Sequence, residues 1–440
     1  MSIYYKALII DKFKKNFYYH HMRKPVFPRI LVLFFIYCIF FTLIISVQFP
    51  GLQRVSGMTR NDIIRELDPG RFILPLAESN EVFLGEISAW RENAFSEWSS
   101  IIQRAGDEDI VIAYLSESIL RGNYRPALAS ISQDFLRSSS RTYESSVFLG
   151  GMVNAGLSYA SADLGKLSRI SQSIENSSLD FLLEKNVLDF LAVRAQFDQI
   201  IVAAELIRSA RTDAIVLELI PGIFEGYMDW HFIHPGIVNP FERLVDDARF
   251  YLLPLLHLDE ENELLFIWEE MDDSGNFLVN TFFNLRLGKA LFNYGEFIND
   301  NEYEGIGRSL ILSALSLETS SLAKAMFYRE VFLSPFLPRS VALRLESGNI
   351  SALTAAENIS ISQRSNGYDI SVSFPLGEAH YMIIRGVEPF SRIQLNNVDY
   401  RTAPDFEIYN SSGYVYNAQD RTLLLKIMHR EDIEYIRIFY

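Results

Sequence analysis

Residues 359 to 374 read ISISQRSNGYDISVSF, and their spacing divides this chain into two kinds of structure. Ile359, Ile361, Tyr368, Ile370, Val372 and Phe374 fall at alternate positions on either side of Asn366-Gly367. Period-two alternation puts successive side chains on opposite faces of a strand, and an Asn-Gly pair supplies the backbone conformation a tight turn needs. The same habit continues through Ile393 and Leu395, Phe406 and Ile408, and Tyr435 to Tyr440, with Asn396-Asn397, Ser412-Gly413 and Gln419-Asp420 as turns between them. This predicts an antiparallel β-sandwich module over residues 358–440.

Upstream the period lengthens. Ile87, Trp90, Phe95, Trp98 and Ile102 recur at spacings of three to five, as one apolar helix face requires. Further helices are expected at 108–121, 125–138, 143–160, 180–210, 212–226, 241–257, 278–298, 302–317 and 321–333, with few strands among them. Two stretches read as helical hairpins. One turns at Arg121 to Tyr124, and the other runs from Leu285 to Leu317 with its turn at Asn299 to Tyr303. Gly or Asn ends the first helix of each, and the aromatic can pack back on it. A helical domain over 81–335 follows, forming a toroid or a solenoid. Pro335, Pro338 and Ser347 to Asn349 mark 336–357 as a linker.

At the N-terminus, Ile30 to Phe49 carries no charge across twenty residues. At about 1.5 Å per residue it spans roughly 30 Å, the thickness of a hydrocarbon core. Seven cations against the single Asp11 give residues 1–29 a charge of +6, which marks a cytoplasmic leader. The exit at Ser46 to Pro50 lacks the small residues of a signal-peptidase site, so an uncleaved anchor is expected over a cleaved signal. Residues 50–80, broken by Pro69-Gly70 and Pro75, read as a juxtamembrane linker. The expected fold class is mainly α: a single transmembrane helix, a helical-hairpin domain and a C-terminal sandwich. The expected place is the inner membrane of a bacterial envelope, single-pass, with the bulk of the chain extracytoplasmic.

The formal net charge is −15, which leaves −21 beyond the leader and argues against nucleic acid as a partner. The only cysteine, Cys38, lies inside the apolar run, so no disulfide is expected downstream. Nucleotide loops, G-x-S-x-G elbows and H-E-x-x-H helices are absent from the sequence, and no cofactor is expected. What stands out is Glu225 to Pro235, which holds Tyr227, Asp229, His231 and His234. Two imidazoles at i and i+3 share a helix face and can move protons or ligate a metal. Ordinary polar packing at a helix-to-loop corner explains the same residues. Two imidazoles and one carboxylate do not complete a zinc set, so no metal is expected. The acid runs at 259–261 and 269–273 read as solvated loop ends.

The hairpin carried by Leu285 to Leu291, Asn299 to Tyr303 and Ser309 to Leu315 resembles those of (α/α) toroid proteins that process polysaccharides, including glucuronyl hydrolases and heparinase-type lyases. The tail, with Ile384 to Val387, Ile393 to Asn397 and Leu423 to Ile427, is similar to sandwich modules that follow glycosidase catalytic domains. That resemblance implies Tyr227, His231 or His234 as the group exchanging a proton with a sugar unit, with Asp229 orienting an imidazole. The segment Gly122-Asn123-Tyr124 resembles tetratricopeptide hairpins equally well, which implies protein binding without chemistry. Two functions follow: an envelope binding or scaffold protein acting through its helical domain on proteins or cell wall, and a membrane-tethered carbohydrate-active enzyme.

Overall fold

The computed structural model describes residues 52–55 and 80–440, apart from 139–140, 212–213, 253–254, 260–261, 272–276, 332–333 and 346–347. Strand β1 (Leu52–Val55) is followed by helices α1 (Asn80–Ile101), α2 (Glu108–Leu120), α3 (Tyr124–Ser130), α4 (Gln133–Arg137), α5 (Tyr143–Leu149) and α6 (Met152–Glu175). Next come α7 (Val187–Val193), α8 (Phe197–Ser209), α9 (Ile220–Ile233) and α10 (Glu242–Leu252). Strands β2 (Leu256–Asp259), β3 (Leu264–Ile267), β4 (Glu270–Met271) and β5 (Phe277–Asn280) lead into α11 (Thr281–Ile298), α12 (Asn301–Leu317) and α13 (Ser321–Val331).

The remainder is strand: β6 (Arg339–Leu345), β7 (Gly348–Thr354), β8 (Asn358–Arg364), β9 (Gly367–Ser373) and β10 (Ala379–Arg385). It continues through β11 (Arg392–Leu395), β12 (Val398–Tyr400), β13 (Gly413–Asn417), β14 (Thr422–Met428) and β15 (Ile433–Phe439). They form two antiparallel five-stranded sheets, ordered β13-β14-β10-β7-β6 and β12-β11-β15-β9-β8. Alternate residues of the two sheets meet between them, Ile350, Met382, Ile384 and Leu425 from the first and Tyr368, Ile370, Ile393 and Ile436 from the second. The opposite face of the first sheet, with Leu353, Ile383 and Leu424, is covered by helices through Tyr124, Phe148 and Ala155. Residues 51–440 are thus one compact unit of helices on sheet on sheet.

Several expectations are corrected. The chain is not mainly α: it combines helices with two five-stranded sheets, and among the described residues no helix is long and apolar enough to cross a membrane. The leader (1–29) and the apolar run (30–49) lie outside the described residues, as does most of the stretch read as the linker 50–80. Sheet begins at Arg339, so two strands occupy the stretch read as a linker. The helix expected over 143–160 breaks at Gly150 and Gly151, both at positive φ, and the one over 180–210 breaks at Asn186 and Ala195 for the same reason. The helix expected over 125–138 splits at Ser132, whose hydroxyl caps α4 by accepting from Phe135 N at 3.0 Å. In the opening stretch, Arg364 pairs with Gly367, so the turn is Ser365-Asn366. Gly367 is required there because a Cβ would lie 1.8 Å from the Ile438 carbonyl oxygen.

Candidate functional site

Helix α9 begins IPGIFEGYMDW, with Pro221 in the first turn where its missing N–H costs nothing. Gly222 and Gly226 let it press close, since a Cβ at Gly222 would sit 2.0 Å from the Leu182 carbonyl oxygen and one at Gly226 2.4 Å from the Phe241 ring. Glu225 and Asp229, four apart, share the face that results. Both line a cavity of about 320 Å³ together with Asn186, Lys289, Asn293 and Glu330. Lys185, Asn186 and Glu330 also line a neighbouring cavity of about 520 Å³, with Lys166, Arg194 and Arg339 on its wall. Through these shared residues the two adjoin as lobes of one cleft.

Most charges in the cleft are paired. Arg286 reaches Glu225 with Nε at 3.1 Å and Nη2 at 2.9 Å, and Glu225 also accepts from Asn186 N at 3.3 Å. Lys185 pairs with Glu330, and Arg329 with both Asp109 and Glu144. Asp163 holds Arg194 and, at 2.8 Å, Arg385. Arg339 differs: its guanidinium donates to the carbonyl oxygens of Pro335 and, at 2.9 Å, Glu357, with no carboxylate in ion-pair reach among the described residues. Burial accordingly lowers its pKa.

Two groups in the smaller lobe titrate near neutrality. Burial, then the charges of Asp189 and Glu225, push the Asp229 carboxyl up to about 7, against a hydrogen bond from Asp189 N at 3.3 Å. Burial pushes the Lys289 ammonium down to about 7, although Glu330 favours its charged form. Its Nζ donates to the Glu330 carbonyl oxygen at 2.7 Å, which fixes the amine at the cavity wall.

Of the four residues singled out in the sequence, only Asp229 lines this cleft. Tyr227 packs edge-on against Tyr294, with centroids 5.2 Å apart, and burial raises its phenol. His231 is exposed with its ring 4.9 Å from Phe297, and His234 lies past the helix end, 4.5 Å from Trp230. A helix turns about 100° per residue, which carries Tyr227 and His231 to one side of α9 and Asp229 to the other. The pairing of Asp229 with an imidazole therefore has no geometry here. Among the described residues no group of three or more His, Cys, Asp and Glu side chains is placed to hold a metal.

Sequence reading missed Lys185, Arg286, Lys289 and Glu330. The signal for two of them was present, because Arg286, Lys289 and Asn293 fall at i, i+3 and i+7 on one face of a helix that is largely apolar elsewhere. No family model, curated protein or solved structure matches this chain.

Proposed function

We propose that the protein is a binding protein whose cleft takes a small anionic, hydroxyl-bearing ligand such as an acidic sugar unit. The observation that carries this reading is Arg339, a partly buried cation on the cleft wall whose donors meet, among the described residues, only carbonyl oxygens, so an anion in the larger lobe supplies its counter-charge. Asn186 and Asn293 offer amides to hydroxyl groups, and the exposed Phe232 at the smaller lobe offers an aromatic face. A combined lobe volume of this size suits a mono- or disaccharide better than a protein surface.

The test is thermal unfolding with methyl glucuronoside against methyl glucoside, which differ by the carboxylate alone. At ligand about 100 times its Kd, the acidic sugar is expected to raise Tm by about 2–5 °C, and Arg339→Gln to abolish the shift. Equal shifts with the neutral sugar, or none with either, overturn the reading.

A further inference from the structure

Two carboxylates in the cleft escape the pairing that occupies the rest. The segment from Leu182 to Asp189 runs along one face of α9: Gly222 meets the Leu182 carbonyl, Glu225 accepts from Asn186 N, and one turn further Asp229 Oδ2 accepts from Asp189 N at 3.3 Å. Asp189 lines the larger lobe, as Arg339 does, and Asp229 lines the smaller. The two acids therefore stand where the lobes join. An aspartate's carboxyl oxygens lie within about 5 Å of its own backbone nitrogen, so these two carboxyl groups are no more than about 8 Å apart. Carboxyl pairs that flank a glycosidic bond during its hydrolysis stand roughly 5 to 9.5 Å apart. Every other acid lining the cleft has a cation: Glu225 holds Arg286, Glu330 holds Lys185, and Asp109 and Glu144 share Arg329. Asp189 and Asp229 have none within ion-pair distance among the described residues, where Lys166 acts on both and Arg344 on Asp189 only from farther away. Asp189 is open to solvent in its lobe and Asp229 is half-buried, so a proton held by the pair resides on Asp229 and leaves Asp189 charged. The rise of the Asp229 carboxyl to about 7 agrees with that division.

We infer that the cleft hydrolyses the glycosidic bond of an acidic sugar, with Asp229 giving a proton to the leaving oxygen and Asp189 taking one from the attacking water. The inference rests on the reading of the cleft as an acidic-sugar site, and the bond between a sugar unit in the larger lobe and its neighbour in the smaller crosses the junction. The bond from the anomeric carbon to the glycosidic oxygen breaks, its electron pair stays on that oxygen, and the Asp229 proton makes it a hydroxyl. A lone pair of the water oxygen forms the new bond to the anomeric carbon while the Asp189 carboxylate takes up the water's proton. Passage of that proton through solvent from Asp189 to Asp229 restores the pair. No electrons are gained or lost, and one water is consumed for each bond cleaved.

The experiment follows release of free glucuronic acid by the full chain at pH 6 from the 4-nitrophenyl and methyl glucuronides, each as α and β anomer, with the matching glucosides as controls. Release is expected from one anomer, and at least about 10-fold more slowly from the glucosides. Asp189→Asn is expected to slow the methyl and 4-nitrophenyl substrates alike, by about 10²–10⁴-fold. Asp229→Asn is expected to slow the methyl glucuronide by a similar factor and the 4-nitrophenyl one far less, because 4-nitrophenolate leaves without a proton. Both variants are expected to keep the thermal shift with methyl glucuronoside, which shows that they fold and bind. Equal losses on the two leaving groups in Asp229→Asn, as an acceptor that only holds the start of α7 would give, overturn its role as acid. No glucuronic acid from either anomer overturns the inference, and a thermal shift that persists in that case leaves the binding reading standing alone.

Discussion

Asp229 ties the cleft to stability. Its carboxyl titrates at about 7 in the folded chain, against about 4 in an unfolded one. Between those values the folded state holds a proton that the unfolded state has released, so this group's contribution falls as pH rises from 4 through 7 and is flat above. Lys289 has the opposite sign. Its lowered value, about 7, means the unfolded chain holds the extra proton between 7 and 10, so its contribution rises across that range. The pair is thus least favourable to folding near neutral pH. Asp229→Asn mimics the protonated acid in shape. Denaturant unfolding is expected to find the variant close to the parent at pH 4 and more stable by on the order of 1–3 kcal/mol at pH 8. A gap of the same size at both pH values would show that the carboxyl carries no such penalty.

Helices α11 and α12 show what was legible at the level of elements. Their hairpin can be read from Leu285 to Leu317 because its ends are written locally: Asn299 takes the left-handed conformation with φ 58°, and Asp300 caps α12 by accepting from Glu302 N at 2.9 Å. Its close approach depends on Gly307, where a Cβ would stand 2.4 Å from Phe292 N. Gly85 in α1 has nothing within 4 Å of the same atom. Gly307→Ala is therefore expected to cost about 1–3 kcal/mol, and Gly85→Ala to stabilise by about 0.5–1 kcal/mol, in denaturant unfolding. Like signs for the two would refute this account of the hairpin. The strands of the outer sheet were legible for the same local reason, since β15 alternates exposed and buried residues. β10 and β14 were harder, because sheet one is buried on both faces and TLLLKIM reads as a plain apolar run. The short strands at 256–280 were missed because each is four residues or fewer, too short for a period to show; β2 pairs locally with β3 and β4 with β5, and β5 also takes the distant β1 as a partner. The cleft was hardest, since Lys185, Asp229, Lys289 and Glu330 come from four segments that share no motif.

At the scale of the whole molecule, the helices and the sandwich share a core. Leu424, Ile383 and Leu353 of the inner sheet lie in one apolar cluster with Trp98, Tyr124, Phe148 and Tyr328 of the helices. Polar contacts cross the same boundary. Glu407, from the loop between β12 and β13, accepts from Gly151 N at 2.6 Å and Met152 N at 3.0 Å, and so satisfies the open end of α6. Asp163 of α6 joins Arg194 to Arg385 of β10. Neither half can open without exposing this cluster, so residues 80–440 are expected to unfold as one. Hydrogen exchange followed by peptide, across a denaturant series, measures the two halves independently. Peptides from 80–338 and from 339–440 are expected to lose protection at a common midpoint. Leu424→Ala, which empties a site only 8% exposed, is expected to lower both midpoints together, at a cost of about 2–5 kcal/mol. Protection that survives in the sandwich after the helices have opened, or a Leu424→Ala effect confined to one half, would show two independent units and remove the rigid wall on which Arg339, at the first residue of β6, is held toward the cleft.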